Sequence, residues 1–223
     1  MSNFTFHWEV VWESVPALLQ GAEVTIIITV TGLLIGFALG AIFGLMKITR
    51  SKILRKVAGL YIESVRGTPL MVQVMFLYFG LPLALGTRIE PVTAGITAIA
   101  VNSGAYIGEI VRGAVQSINV GQYEAGRSIG LSRKQTMVNI IWPQAFRRMI
   151  PPLGNQFIIS LKDTSLLVVI GVAELTRSGQ EIISVNFRAF EVWITVALMY
   201  LAMTMSISKI LAVTERKLLR IKR

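Results

Sequence analysis

Residues 117–143 read SINVGQYEAGRSIGLSRKQTMVNIIWP, a moderately polar insert between stretches apolar enough to cross a membrane. Asn119 and Gly121 are helix-entry residues, and Glu124 is expected in the first turn, where a carboxylate favours the positive end of the helix dipole. Gly130 suits a left-handed cap at the end of that helix. Ser132, followed three residues later by Gln135, has the pattern of a capping box opening a second helix, and Pro143 is expected to mark its end. The insert therefore reads as helix, turn, helix. By capping chemistry alone it is equally a solvated hairpin with no partner, so the flanking sequence has to decide its role.

The chain is 53% hydrophobic and only 15% charged, with a mean hydropathy of +0.64. That is too apolar for a soluble domain, whose surface must be covered by charge. The reading is an integral membrane protein. With no cysteine there can be no disulfide, thiolate metal site or cysteine nucleophile, and one histidine, His7, makes neither a metal cluster nor a catalytic triad. The net charge of +10 raises nucleic acid as a partner, a question that turns on where the charges sit. No Lys or Arg precedes Lys47, so the basic start of a cleavable leader is missing and no removal is expected.

Residues 24–46 carry no charge and, at 1.5 Å per residue, cross about 30 Å of hydrocarbon. Gly32, Gly36, Gly40 and Gly44 recur every fourth residue there, a ridge that lets another helix approach closely, in this chain or in a second copy. Residues 67–87 are again uncharged, and the second span is expected at about 60–85. Pro69, beside Gly67 and Thr68, must kink that helix or break its ladder. The result is either a packing kink or a break that aims a helix N-terminus at an anionic group.

The third span is expected at 92–111. Asn102 lies near its middle on a face shared with Ala98, Tyr106 and Glu109, where an amide bonds a neighbouring helix or contacts a ligand. The fourth, 149–173, has Lys162-Asp163-Thr164-Ser165 at its centre. Charges at that depth are costly unless they pair or line a water-filled cavity. Residues 174–191 read as a mixed-charge loop and 192–213 as the fifth span, with Lys209 snorkelling and a basic tail held near anionic lipid.

Charge asymmetry orients these spans. The segment before the first has no basic residue, that after the second has Arg88, and that after the fourth has Arg177 and Arg188. Basic residues crowd the other side, from Lys47 to Arg66, from Arg112 to Arg148, and beyond Lys209. The crowded side is cytoplasmic by the positive-inside rule. The expectation is thus one all-α integral membrane domain, 1–223, of five transmembrane helices. Its N-terminus is periplasmic, its C-terminus cytoplasmic, and the insert 117–143 faces the cytoplasm. The basic charge is then accounted for by the membrane, with no nucleic acid.

The insert also carries a longer pattern. Glu124-Ala125-Gly126 is followed after three residues by Gly130, then after nine by Ile140, one spacer, Trp142 and Pro143. This resembles the EAA loop of ABC-importer permeases, with Gly126 for the second Ala and Trp142 for the usual Leu. Three further segments, VRGTPL at 65–70, NSGAY at 102–106 running on to Arg112-Gly113-Ala114, and PPLGNQFIISLKDTSL at 151–166, are similar to those of the polar amino-acid branch. Within that branch the chain looks most like the glutamine permeases of Gram-negative bacteria.

The resemblance implies a type I importer fold in a bacterial inner membrane and permease subunits that pair, here as a homodimer. Each subunit docks an ABC ATP-binding subunit that holds ATP and Mg, and a periplasmic amino-acid-binding protein delivers substrate. Glu124, Ala125, Gly126, Arg127 and Gly130 would form the ATPase-coupling helix. No Gly-x4-Gly-Lys-Ser/Thr phosphate loop is present, so this chain is expected to bind no cofactor and to be no enzyme itself.

A zwitterionic amino acid needs a cation for its carboxylate and an acceptor for its ammonium. Lys162 and Asp163 are the candidates, with Asn102, Thr164 and Ser165 for the remaining groups. Adjacent helical residues point about 100° apart, which sets Lys162 and Asp163 on different faces. An ion-coupled secondary amino-acid transporter is the rival reading, with Lys162 and Asp163 as ion sites, but it leaves the EAA-like spacing without a purpose.

Overall fold

The computed structural model describes residues 5–220, and every regular element among them is helical. The end of the basic tail lies outside the described residues.

Helix α1 runs from Trp8 to Ile48, 41 residues, or about 60 Å at 1.5 Å per residue. The stretch expected to span, 24–46, is its C-terminal part. The helix begins far upstream because residues 8–23 lack any breaker except Pro16, which falls where the chain can tolerate it only as a helix-interior proline.

The second expected span, about 60–85, is not a single rod. It is a pair of helices, α2 (Lys52–Arg66) and α3 (Leu70–Leu85), bent by 102° at the break. Pro69 is extended, at φ −62° and ψ 139°. It has no N–H to continue the ladder and drives its predecessor out of the helical region. Counting the pair as one crossing gives up to five candidate spans, and four without it.

Helix α4 (Pro91–Gln116) opens at Glu90, whose carboxylate accepts the Thr93 N–H at 2.9 Å. Backbone hydrogen bonds from Thr93 and Val92 hold that carboxyl below its ordinary pKa. Helix α5 (Val120–Ser128) follows, capped by Asn119 through the Gly121 N–H at 2.8 Å. Since Val120 is its first residue, Glu124 lies in the second turn rather than the first.

Ser132 and Gln135 form the expected reciprocal capping box, opening α6 (Arg133–Ile170). Pro143 does not end this helix. Residues Met137–Ile141 widen into a π-helical turn, and Pro143 follows within the first positions of the α-helical stretch Trp142–Asp163. The bulge moves the carbonyl that the proline ring would otherwise strike. The same device recurs in α3, where the π-helical turn Phe76–Gly80 precedes Pro82. Past Asp163 the helix tightens to 3₁₀ through Thr164–Ile170 and stops at Gly171, φ +77°.

The mixed-charge loop expected at 174–191 contains a helix instead, α7 (Leu175–Asn186). Its cap is Glu174, which is fully buried; its carboxylate accepts N–H bonds from Thr176 at 2.9 Å and Arg177 at 2.7 Å and the Tyr200 hydroxyl at 3.0 Å. A polar, amphipathic twelve-residue helix of this kind leaves little hydropathy signal. Helix α8 (Ala189–Arg220) is the last of the described elements.

Hydrocarbon is as apolar as a leucine side chain, so helices in a membrane associate through close packing more than through hydrophobic burial. The glycine ridge supplies that closeness within the chain. Gly32 faces Ile99, Gly36 faces Ser103, Gly40 faces Ile107 and Gly44 faces Val111, all on α4. A Cβ at Gly36 would lie 3.0 Å from the Ala100 carbonyl, and one at Gly40 2.8 Å from that of Gly104. Buried between α1 and α4, the ridge is not a surface for a second copy. Around this seam sit three apolar clusters: Ile28, Val74, Ile99 and Leu167; Leu33, Ile107, Val111 and Met149; and Leu18, Leu175, Val192 and Val196.

Candidate functional site

The break between α2 and α3 opens a cavity of about 460 Å³. Arg66, Gly67, Thr68, Pro69 and Leu70 line it from the break, Asn102 and Tyr106 from α4, and Gln156, Ile159 and Asp163 from α6. Each helix presents residues one or two turns apart. Asn102 and Tyr106 are four positions apart, and Gln156, Ile159 and Asp163 follow spacings of three and four, so each set shares a face.

The lining is electrostatically divided: its cation is Arg66 and its carboxylate is Asp163. The Arg66 guanidinium stands over the Tyr106 ring, 5.3 Å from the centroid, a cation–π contact that holds it without discharging it. It also lies 3.8 Å from Glu109, whose carboxylate is already gripped by Arg112 on the same helix. Glu109 therefore steadies Arg66 without neutralising it fully. Asp163 is half-buried, and its carboxylate forms no side-chain hydrogen bond or ion pair among the described residues.

Of the residues singled out in sequence, the structure brings Asn102 and Asp163 to this cavity. It places Lys162, Thr164 and Ser165 outside the lining. Lys162 is exposed. Thr164 is fully buried, its hydroxyl donating to the Leu161 carbonyl at 2.7 Å. Ser165 donates to the Lys162 carbonyl at 2.7 Å. Both hydroxyls close helical turns. Arg66, Tyr106 and Gln156 were missed by sequence reasoning. The available signals were Tyr106 one turn beyond Asn102, Gln156 two turns before Asp163, and Arg66 at the edge of the proline break.

The second region is α5 and the turn after it. Gly126 is its buried residue, while Glu124, Ala125 and Arg127 are exposed. Val120 and Ile129 stand at its two ends 68% and 76% exposed, an apolar display unusual on a face that meets only water. Gly130 adopts φ +87°, the left-handed region where glycine has no Cβ to strain. Arg127 donates to the Leu131 carbonyl across that turn. Gln144 reaches from α6 to Gln122 at 3.1 Å, and Arg148 donates to the Ser117 hydroxyl at 3.0 Å. The short helix is thus fastened to α6 on one side and bare on the other.

Comparison with known proteins matches residues 32–220 to the family described as "Binding-protein-dependent transport system inner membrane component". The chain is 53% identical to the glutamine transport system permease protein GlnP of Escherichia coli (strain K12), over 96% of this chain and 98% of that one. It is 38% identical to the L-cystine transport system permease protein TcyB of Bacillus subtilis (strain 168), over 95% of this chain and 91% of that one. Among solved structures, one described as an amino acid ABC transporter with histidines superposes with a TM-score of 0.91 at 39% identity, covering 96% of this chain and 100% of that chain. With an all-helical fold, a bent crossing and a short exposed helix between spans, the chain belongs to the family of binding-protein-dependent transport system inner membrane components, and its fold is that of a type I ABC permease.

Proposed function

We propose that this chain is the membrane-spanning subunit of an ATP-driven importer of polar L-amino acids, with glutamine its substrate. The observation that carries the reading is the cavity at the broken crossing, whose lining holds one cation, Arg66, and one carboxylate, Asp163. A zwitterion has the reverse pair, and charge-assisted hydrogen bonds at both ends orient it. Asn102 adds a further neutral polar group to the lining, and Gln156 one suited to a side-chain amide. The glutamine assignment is supported by the 53% identity to a permease named for that substrate.

The energy comes from outside the chain. Helix α5 docks on a separate ATP-binding subunit, which holds ATP and Mg, through Glu124, Ala125, Arg127 and the apolar ends Val120 and Ile129. Gly126 and Gly130 give that helix its seat and its turn. When the ATPases close, α5 carries α6 with it, and the cavity passes from periplasmic to cytoplasmic access. The working assembly is a homodimer of this subunit with two ATP-binding subunits and a periplasmic binding protein, in a bacterial inner membrane. The N-terminus is periplasmic and the C-terminus cytoplasmic, as the distribution of basic residues favours.

The test is uptake of labelled glutamine into proteoliposomes holding this subunit, its ATP-binding subunit and the binding protein. Uptake should require internal ATP and prefer glutamine over other amino acids. Uptake driven by an ion gradient without ATP would overturn the reading in favour of secondary transport.

A further inference from the structure

Gln73, on the first turn of α3, lies outside the cavity lining and yet connects the break to it. Its Nε2 donates to the Val65 carbonyl at 2.7 Å, the Thr68 carbonyl at 3.0 Å and the Thr68 hydroxyl at 3.0 Å. Its Oε1 accepts from Asn102 Nδ2 at 3.2 Å. The Val65 carbonyl also accepts the Thr68 N–H at 3.4 Å, whereas no backbone N–H among the described residues reaches the Thr68 carbonyl at the break, and Gln73 provides a donor for both; a carbonyl left unpaired away from water is costly.

The orientation of both amides then follows from chemistry. Main-chain carbonyls only accept, so Gln73 must turn its NH₂ toward the break and its oxygen toward α4. An amide oxygen also only accepts, so Asn102 must meet it with its own NH₂. Asn102 is left with Oδ1 as its unengaged atom. That oxygen accepts no hydrogen bond, and among the described residues no fully buried side-chain polar atom lacks a partner. Oδ1 is consequently open to the cavity that Asn102 lines.

We infer that Gln73 is a positioning residue for substrate: it fixes Asn102 so that the cavity is offered a carbonyl acceptor, which together with Asp163 receives the donor end of the amino acid. This rests on the cavity being the substrate site. The arrangement gives the cavity two acceptors, Asn102 Oδ1 and Asp163, against the Arg66 guanidinium. A substrate reversed end to end would place its carboxylate against two acceptors, and the site rejects it.

The inference is tested by a double-mutant cycle on the complete importer in proteoliposomes, reading KM and maximal rate for glutamine. Gln73→Met removes both ends of the amide. Gln73→Lys keeps donors for the break carbonyls and removes only the acceptor that faces Asn102, so it preserves the break if Gln73→Met fails to assemble. Either variant should raise KM roughly ten-fold, the scale of one well-placed hydrogen bond. On an Asn102→Ala background the same change should raise KM no further, because Gln73 acts through Asn102. A Gln73 effect that persists undiminished in Asn102→Ala would overturn the inference, reducing Gln73 to a staple of the break or its lysine to a field effect. So would an unchanged KM in both Gln73 variants while Asn102→Ala raises it. If Asn102→Ala itself leaves KM unchanged, it is the cavity's assignment as the substrate site that fails.

Discussion

Gly126 on α5 packs flush against Thr136 on α6: a Cβ at Gly126 would lie 2.7 Å from Thr136 Cγ2 and 2.7 Å from Ile140 Cδ1. Thr136 is fully buried and β-branched, so it cannot turn aside cheaply. Gly126→Ala should therefore loosen the docking helix and lower ATP-coupled uptake several-fold, at a cost of about 1–3 kcal/mol in the overpacked contact. Adding Thr136→Ser removes the crowded methyl and should restore most of the coupling. ATPase activity of the assembled complex, with and without binding protein, reads both variants, and a Gly126→Ala protein that couples normally would refute the contact's role.

The glycine seam offers a contrast within one helix pair. At Gly36 any side chain meets Ser103 and the Ala100 carbonyl, whereas at Gly113, also helical, nothing lies within 4 Å of an added Cβ. Gly36→Val should abolish recovery of folded protein. Gly113→Ala should stabilise by roughly 0.5–1 kcal/mol through helix propensity alone. Thermal unfolding in detergent distinguishes them, and equal tolerance at the two positions would mean that α1 and α4 do not meet as described. The chain's lack of cysteine also leaves a clean background for crosslinks placed along this seam.

Lys162 and Asp163 are neighbours in sequence with different outlooks, the first exposed and the second on the cavity wall. Asp163→Asn should raise the KM for glutamine roughly thirty-fold, the scale of a lost charge-assisted hydrogen bond, at normal expression. Lys162→Gln should change it little. Uptake kinetics decide the matter, and the reverse ranking would move the substrate to the other face of α6.

Glu174 provides a pH signature. Burial pushes its carboxyl above the ordinary glutamate value, and this outweighs the opposing hydrogen bonds from Thr176, Arg177 and Tyr200. A carboxyl with a raised folded-state pKa holds its proton where the unfolded chain has already released it. Its contribution to stability is therefore present at low pH and lost as pH rises from the unfolded value through the folded one. Melting temperature should fall over that window in the native protein, and the fall should be smaller in Glu174→Gln. An identical pH profile for the two would exclude Glu174 as its source.

How much of this was legible in the sequence depends on the scale of the signal. Long apolar runs announced α1, α4 and α8, and fourfold glycine spacing announced their close packing, because lipid leaves only those devices to build with. Pro69 marked a break, although not its 102° angle nor the Gln73 hydrogen bonds that span it. Pro143 misled, since the π-helical turn before it lets the helix run on through the proline. Helix α7 was invisible to hydropathy. At the cavity, Asn102 and Asp163 stood out as polar groups at depth, but Lys162 carried the same signal and faces away. Which of two adjacent charges points inward depends on the rotation of α6, which follows from its packing against several helices at once, the close approach of Gly154 to Leu211 on α8 among them.

Helix α1 is also a lever. Near its middle it is tied to α7 by Thr25, whose hydroxyl accepts the Leu175 N–H at 3.2 Å, and at its N-terminal end to the start of α8, where Glu191 accepts the His7 N–H at 3.2 Å. Its C-terminal end is paired to α2 through Lys47 and Glu63 at 2.8 Å. A stiff rod about 60 Å long shifts each end by about 5 Å when it tilts about 10° around its midpoint. The Thr25 tie then lies beside the pivot, while the ends held by α8 and by α2 swing in opposite directions.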